Sequence, residues 1–167
     1  MIYTTHIFFA YFFSLLLLEL IAPNLQLDVK IKLSIVAMIA SLFPDLDHPQ
    51  SFISRGNWAI LSAITTSVTE HRGATHTLLG ALVFTFGAAI GFIVFNATII
   101  YIFAFFFGYM THLFADLLTI TKIKLLHPFS NKKYGLGIIR TGSDAEFWLQ
   151  RFLIAGVIVI LWHSVAR

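Results

Sequence analysis

The chain has 167 residues, 58% of them hydrophobic, 16% aromatic and only 11% charged, with a mean hydropathy of +0.86. A soluble domain carries about 25% charged residues, so this composition excludes one and specifies a membrane protein. It contains no cysteine, which excludes disulfides and thiolate metal sites. The net charge of +3 comes without a basic run interleaved with aromatics, so no nucleic acid is expected as a partner.

The first apolar run, Ile7 to Ala22, is interrupted by Glu19. Its 16 residues would rise roughly 24 Å as a helix, slightly short of a ~30 Å hydrocarbon core. It lacks a basic leader, and Pro23-Asn24 is a poor cleavage site, so it is read as a retained helix. Asp28, Lys30 and Lys32 mark a polar connection. Leu33 to Phe43 is apolar but short; it is either a span completed by snorkelling Lys30 and Lys32, or a helix buried among others. It stops at Pro44-Asp45-Leu46-Asp47-His48-Pro49, an acidic loop bracketed by two prolines that do not suit a helix interior.

Trp58 to Val68 is moderately apolar and fits a helix lying along the membrane surface. His71-Arg72-Gly73-Ala74-Thr75-His76 follows, with Thr75 read as the N-cap of the next helix. Thr77 to Phe95 has no charge in 19 residues and reads as a transmembrane helix. After a break at Asn96, Ala97 to Ala115 returns as its hairpin partner. The polar loop 119–146 carries Lys122, Lys124, Lys132, Lys133 and Arg140, and Phe147 to Trp162 forms the last apolar segment. The reading is all-α: one domain, 1–167, a polytopic helical bundle with about four to five transmembrane helices.

Ionisable groups in such segments are expensive, and therefore informative. His112 and Asp116 lie four apart, one turn apart on one helical face, where they can grip a metal or form a plain N–H···carboxylate pair. Asp45, Asp47 and His48 offer three ligands within four residues; the bland reading is a solvated loop with Asx turns. His71 and His76 would diverge by about 140° on one helix, but a turn at Gly73 can bring both inward. Arg72 can hold a phosphate oxygen or anchor the chain at the interface. Glu146 can be a ligand or base, or the N3 residue of a capping box opened by Ser143. His6 can be a ligand or an interfacial histidine.

Topology joins these groups. If the loop with five Lys/Arg is cytoplasmic, the end of span 97–115 and the start of span 77–95 are cytoplasmic too. With 33–43 as a full crossing, His6, Asp45, Asp47, His48, His71, His76, His112, Asp116 and Glu146 all fall at one depth on one side, and His163 falls at the other.

Together these stretches resemble the YdjM-like family of inner-membrane metal-dependent hydrolases. The resemblance rests on Pro44-Asp45-Leu46-Asp47-His48-Pro49-Gln50-Ser51, on His71-Arg72-Gly73-Ala74-Thr75-His76-Thr77-Leu78-Leu79, and on Gly108-Tyr109-Met110-Thr111-His112-Leu113-Phe114-Ala115-Asp116-Leu117-Leu118-Thr119, in that order. It implies a multi-pass inner-membrane hydrolase with a metal site of motif His and Asp residues. The inventory is also similar to that of zinc-dependent phospholipase C, an analogy that does not fix function.

Nine candidate ligands exceed the four of one tetrahedral zinc and suit two or three divalent ions, zinc first, manganese or magnesium if carboxylates dominate. The expected chemistry is metal-assisted hydrolysis of a phosphoester, on a phospholipid or a lipid-linked phosphate, at a site facing the cytoplasm. Asp45, Asp47 or Glu146 would act as base or bridging ligand, with Arg72 on the phosphate. Two other classes compete: a non-catalytic membrane scaffold locked by His/Asp pairs, and a metal or proton transporter. Transporter sites lie near the bilayer midplane, whereas these groups gather at one end.

Overall fold

A computed structural model describes residues 1–47 and 74–166. The proposed surface helix at 58–68 lies outside the described residues. Among them the chain forms five α-helices and no strand: α1 (Tyr3–Ile21), α2 (Leu27–Ala40), α3 (Leu78–Val94), α4 (Ile100–Leu117) and α5 (Asp144–Val165), with a 3-10 turn at Phe43–Asp47 after α2.

Helices α1, α4 and α5 are long and apolar enough to cross a membrane; α3 is apolar and shorter, at 17 residues. Their outward faces remain apolar, as at Phe86 on α3 and Phe152 and Trp162 on α5. In water such a surface would aggregate; in hydrocarbon it is the required exterior, and helices satisfy their own backbone there.

Each helix end has a local cause. Pro23 follows the end of α1, and Asn96, at φ 53°, turns the chain in the left-handed region between α3 and α4. Pro44 sits near the start of the 3-10 turn, where its missing N–H costs nothing. Thus the described part of the acidic loop, Pro44 to Asp47, is a turn of helix that carries Asp45. The cap of α3 is Thr77, two residues later than the sequence suggested: its hydroxyl accepts from Gly80 N at 2.9 Å. Gly80 is required there, because a Cβ would stand 2.5 Å from the Ala74 carbonyl oxygen and 2.8 Å from that of Thr75.

Helix α4 touches α1, α2, α3 and the 3-10 turn, and α1 touches α2 and α5. The core fills those seams. Ala40, Ala81, Phe105, Tyr109, Leu113 and Ile123 form one apolar cluster, and Met1, Phe9, Ala115, Ile139 and Leu153 form a second. The loop after α4 closes over this end through isolated bridges, Thr119 to Ile139 and Ile123 to Tyr134.

The chain alternates direction. Helix α2 starts beside the end of α1, where Lys30 Nζ meets Glu19 Oε2 at 2.6 Å and the Pro23 carbonyl at 2.9 Å. It ends beside His112, one helix away from His6. At ~1.5 Å per residue, the path from Glu19 back to His6 on α1 and that from Lys30 to Ser41 on α2 differ by only about two residues' rise. The short apolar segment therefore runs between the two ends of the bundle. It does so with Lys30 buried against Glu19, against the snorkelling alternative; Lys32, paired with Asp28, stays exposed. Ser164 Oγ joins Glu19 at 3.2 Å, which puts neighbouring His163 at the end of the bundle opposite His6.

Candidate metal centre

The starts of α1 and α3 and the ends of α2 and α4 share one end of the bundle, and there the polar side chains converge. His112 and Asp116 are on the last turn of α4, at positions i and i+4. Tyr109 completes that stripe, and its hydroxyl donates to the Thr75 carbonyl at 2.6 Å, fixing the segment that carries His76. Gly108 lies against Ala37, so closely that a Cβ would overlap the Ala37 backbone. This contact lets α2 approach until the Ser41 carbonyl accepts from His112 Nδ1 at 2.6 Å.

That last bond sets the chemistry of His112. A carbonyl can only accept, so Nδ1 carries a proton and Nε2 is the ring nitrogen turned toward the other polar groups. Histidine ligands of metals are held in this way, with the distal N–H on a carbonyl or carboxylate. His112 Nε2 faces His76 Nε2 at 3.4 Å, Asp116 Oδ2 at 3.7 Å and Asp45 Oδ1 at 3.8 Å. His76 Nε2 in turn lies 3.4 Å from Asp116 Oδ2 and 3.6 Å from Asp45 Oδ1.

Two reference spacings bear on the His112–Asp116 pair. An N–H···O hydrogen bond closes to roughly 2.7–3.2 Å. Tetrahedral ligands about 2.1 Å from a zinc ion stand roughly 3.4 Å from one another. Separations of 3.4 to 3.8 Å suit ligands around a common cation, and the shorter of them also admit a long hydrogen bond.

His6 extends the cluster. Its ring stacks on His112 at 3.7 Å, and its Nε2 lies 3.4 Å from Asp116 Oδ1, the oxygen that also meets the Met1 nitrogen at 2.9 Å. His6, Asp45 and His112 form one metal-spaced triad, and His76, His112 and Asp116 another, sharing His112. His6 Nδ1 is buried without a hydrogen-bond partner among the described residues. The donor set, three imidazoles and two carboxylates, fits one or two divalent ions. His6, His76, His112 and Asp116 are all buried; the Asp45 side chain is 24% exposed and forms the mouth. Burial opposes charge on Asp45, yet His112, His76 and His6 outweigh that cost and hold its carboxyl well below the usual carboxylate range.

The structure thus brings together five of the nine residues named from sequence: His6, Asp45, His76, His112 and Asp116. It sets Glu146 apart. That carboxylate accepts from Ile2 N at 2.6 Å and Gly142 N at 2.7 Å, so it ties α5 to the start of α1. It caps in the spirit of the capping-box reading, but through Gly142, and the Ser143 hydroxyl makes no cap bond. The Asp47 side chain, His48, His71 and Arg72 lie outside the described residues. The Ser41 carbonyl and Tyr109 escaped sequence reasoning. The i−3 position of Tyr109 on the His112 stripe was the available signal for one; a backbone carbonyl leaves none.

The same motifs are matched by the family model described as YdjM inner membrane protein, over residues 1–166. The chain belongs to this family. It is a multi-pass membrane protein with a His/Asp cluster at one end of its helical bundle. Among its relatives it is 37% identical over 98 residues to inner membrane protein YdjM of Escherichia coli K12 and, equally, of Shigella flexneri, covering 55% of this chain. It is 33% identical over 108 residues to the uncharacterized protein YvsG of Bacillus subtilis 168, covering 65% of this chain. The matched part spans 47% of the length of the YdjM proteins and 64% of YvsG. No solved structure matches the chain.

Proposed function

We propose that this protein is a metal-dependent hydrolase of the inner membrane, acting on a phosphoester carried by a membrane lipid, with its site facing the cytoplasm. The observation that carries the proposal is the His76–His112–Asp116 triangle, with edges of 3.4, 3.4 and 3.7 Å and a His112 ring oriented by the Ser41 carbonyl. His76, His112 and Asp116 would hold one ion; His6 and Asp45, with His112, would hold a second. Zinc suits three imidazoles; manganese or magnesium would lean on the carboxylates. Divalent ions there would polarise a phosphoryl oxygen and acidify water.

The chain's own groups supply the rest. Asp45, the partly exposed carboxylate of the cluster, would use its other oxygen to accept a proton from water as the water oxygen bonds to phosphorus; the P–O ester bond breaks and the released alkoxide takes a proton from solvent. Arg72 keeps its sequence-derived role on a phosphate oxygen. The loop 119–146, with five Lys/Arg, supports the cytoplasmic orientation through the positive-inside rule. The cluster's position at one end of the bundle favours hydrolysis at headgroup depth over transport, whose sites sit at midplane.

The test is metal content by elemental analysis of detergent-purified protein, beside His112→Ala and Asp116→Ala, followed by a phosphoester screen with the metal-loaded protein. Bound metal in wild type, lost in folded variants together with turnover, supports the proposal. A wild type that binds no metal after reconstitution makes the cluster a scaffold of helix contacts. Metal without turnover on any phosphoester removes the hydrolase.

A further inference from the structure

A large apolar groove opens on the face of α1 between α4 and α5, with a volume of about 740 Å³. Phe9 and Leu153 form its buried floor, and Phe13, Phe114 and Phe152 stand exposed along its rim. Its one hydroxyl, on Thr111, donates to the Gly108 carbonyl at 2.6 Å. The wall therefore asks for hydrocarbon and offers nothing to a polar ligand.

We infer that this groove seats one acyl chain of the lipid whose phosphoryl group lies at the His/Asp cluster, an assignment that rests on the function proposed above. Three observations support this occupant. First, the groove is cut between the three helices long enough to cross a membrane, so its opening faces the hydrocarbon that already covers them. Second, it begins at the cluster. Phe9 follows His6 by one turn on α1, Thr111 adjoins His112 on α4, and Leu149 lies one turn beyond Glu146, which ties α5 to the start of α1. Third, its length fits. From Leu118 to Phe107 the groove follows α4 for roughly 16 Å, about half of a ~30 Å hydrocarbon core, which is the depth occupied by the chains of one leaflet.

Inside a bilayer, burial of the chain gains nothing over bulk lipid, since tails are as apolar as the groove. The groove acts by position. A chain lying in it holds the glycerol end of the lipid at the end of the bundle that carries the cluster, and catalytic orientation is the gain. It selects a substrate with a hydrocarbon tail over a soluble phosphoester.

Photolabelling of the full chain in detergent, with phosphatidylethanolamine carrying a diazirine midway along one acyl chain, tests the assignment. Saturable labelling at Phe13, Phe114 and Phe152, several-fold above that at Phe86 on α3, is expected. Leu149→Trp, which fills the groove, should lower this labelling several-fold; Phe86→Trp should not. Leu118→Phe serves if Leu149→Trp folds poorly. Even labelling of all outward helix faces overturns the groove, as does a dimer cross-linked through these residues in place of lipid. Metal content separates the two proposals. Even labelling of a protein that holds metal removes the groove alone. Groove labelling of a protein that holds none removes the hydrolase and leaves a lipid-binding membrane protein.

Discussion

Gly108 offers the sharpest test of how the bundle builds its polar cluster. An added methyl in Gly108→Ala would lie 2.5 Å from Ala37 Cα and 2.6 Å from Ala37 C, as well as against the Ala37 oxygen. Ordinary carbon contacts sit at roughly 3.5–4.0 Å, so α2 must retreat by about 1 Å. The Ser41 carbonyl rides on α2. Its 2.6 Å bond to His112 Nδ1 would then stretch to about 3.6 Å, which is no longer a hydrogen bond. Overpacking costs about 1–3 kcal/mol and the lost bond about 1 kcal/mol more, for a total of roughly 2–4 kcal/mol. Without its anchor the His112 ring is free to turn, and loss of the carbonyl that orients a metal-binding histidine lowers metal affinity roughly 10- to 100-fold. Thermal unfolding in detergent measures the first effect and zinc titration the second. A Gly108→Ala protein that melts and binds zinc like wild type would refute both the close contact and the role of Ser41.

Other expected outcomes separate structural from metal-holding residues. Glu146→Ala strips two backbone N–H groups of their acceptor and should cost roughly 2–4 kcal/mol in unfolding while metal content persists; loss of metal from a folded protein would return Glu146 to the site. Glu19→Leu leaves Lys30 buried with its charge unopposed, so a loss of about 3–5 kcal/mol is expected, largely recovered in Glu19→Leu/Lys30→Met. If the double variant melts no higher than the single one, the pairing argument fails. Thr77→Ala removes the cap of α3 and should cost about 1 kcal/mol; an equal loss in Thr77→Ser, which keeps the hydroxyl, would contradict capping as the cause.

The sequence by itself determined the class and most of the bundle. Uncharged runs such as Thr77 to Phe95 have one stable solution in hydrocarbon, a helix that satisfies its own backbone, and the alternation of such runs brings His6, Asp45, His76, His112 and Asp116 to one end. Element ends were legible wherever a local rule governs them, as at Pro23 and Asn96. They shifted where two caps competed: Thr75 and Thr77 are alike in sequence, and only the contact of Gly80 with the Ala74 and Thr75 carbonyls shows which one opens α3. The inward turn of Lys30 depends on Glu19 lying on another helix, which no local pattern reports.

The tertiary structure alone decided which carboxylates share the cluster. Asp45 and Glu146 read alike as acidic groups at helix ends. Asp45 faces three imidazoles, from α1, from the segment before α3 and from α4, whereas Glu146 is spent on the amides of Ile2 and Gly142. The 3.4 to 3.8 Å spacing within the cluster is a property of helices in contact, set by the absence of a side chain at Gly108 and by the reach of a carbonyl from Ser41. Periodicity places a residue on a face; the distance between two faces depends on every atom that holds the helices apart.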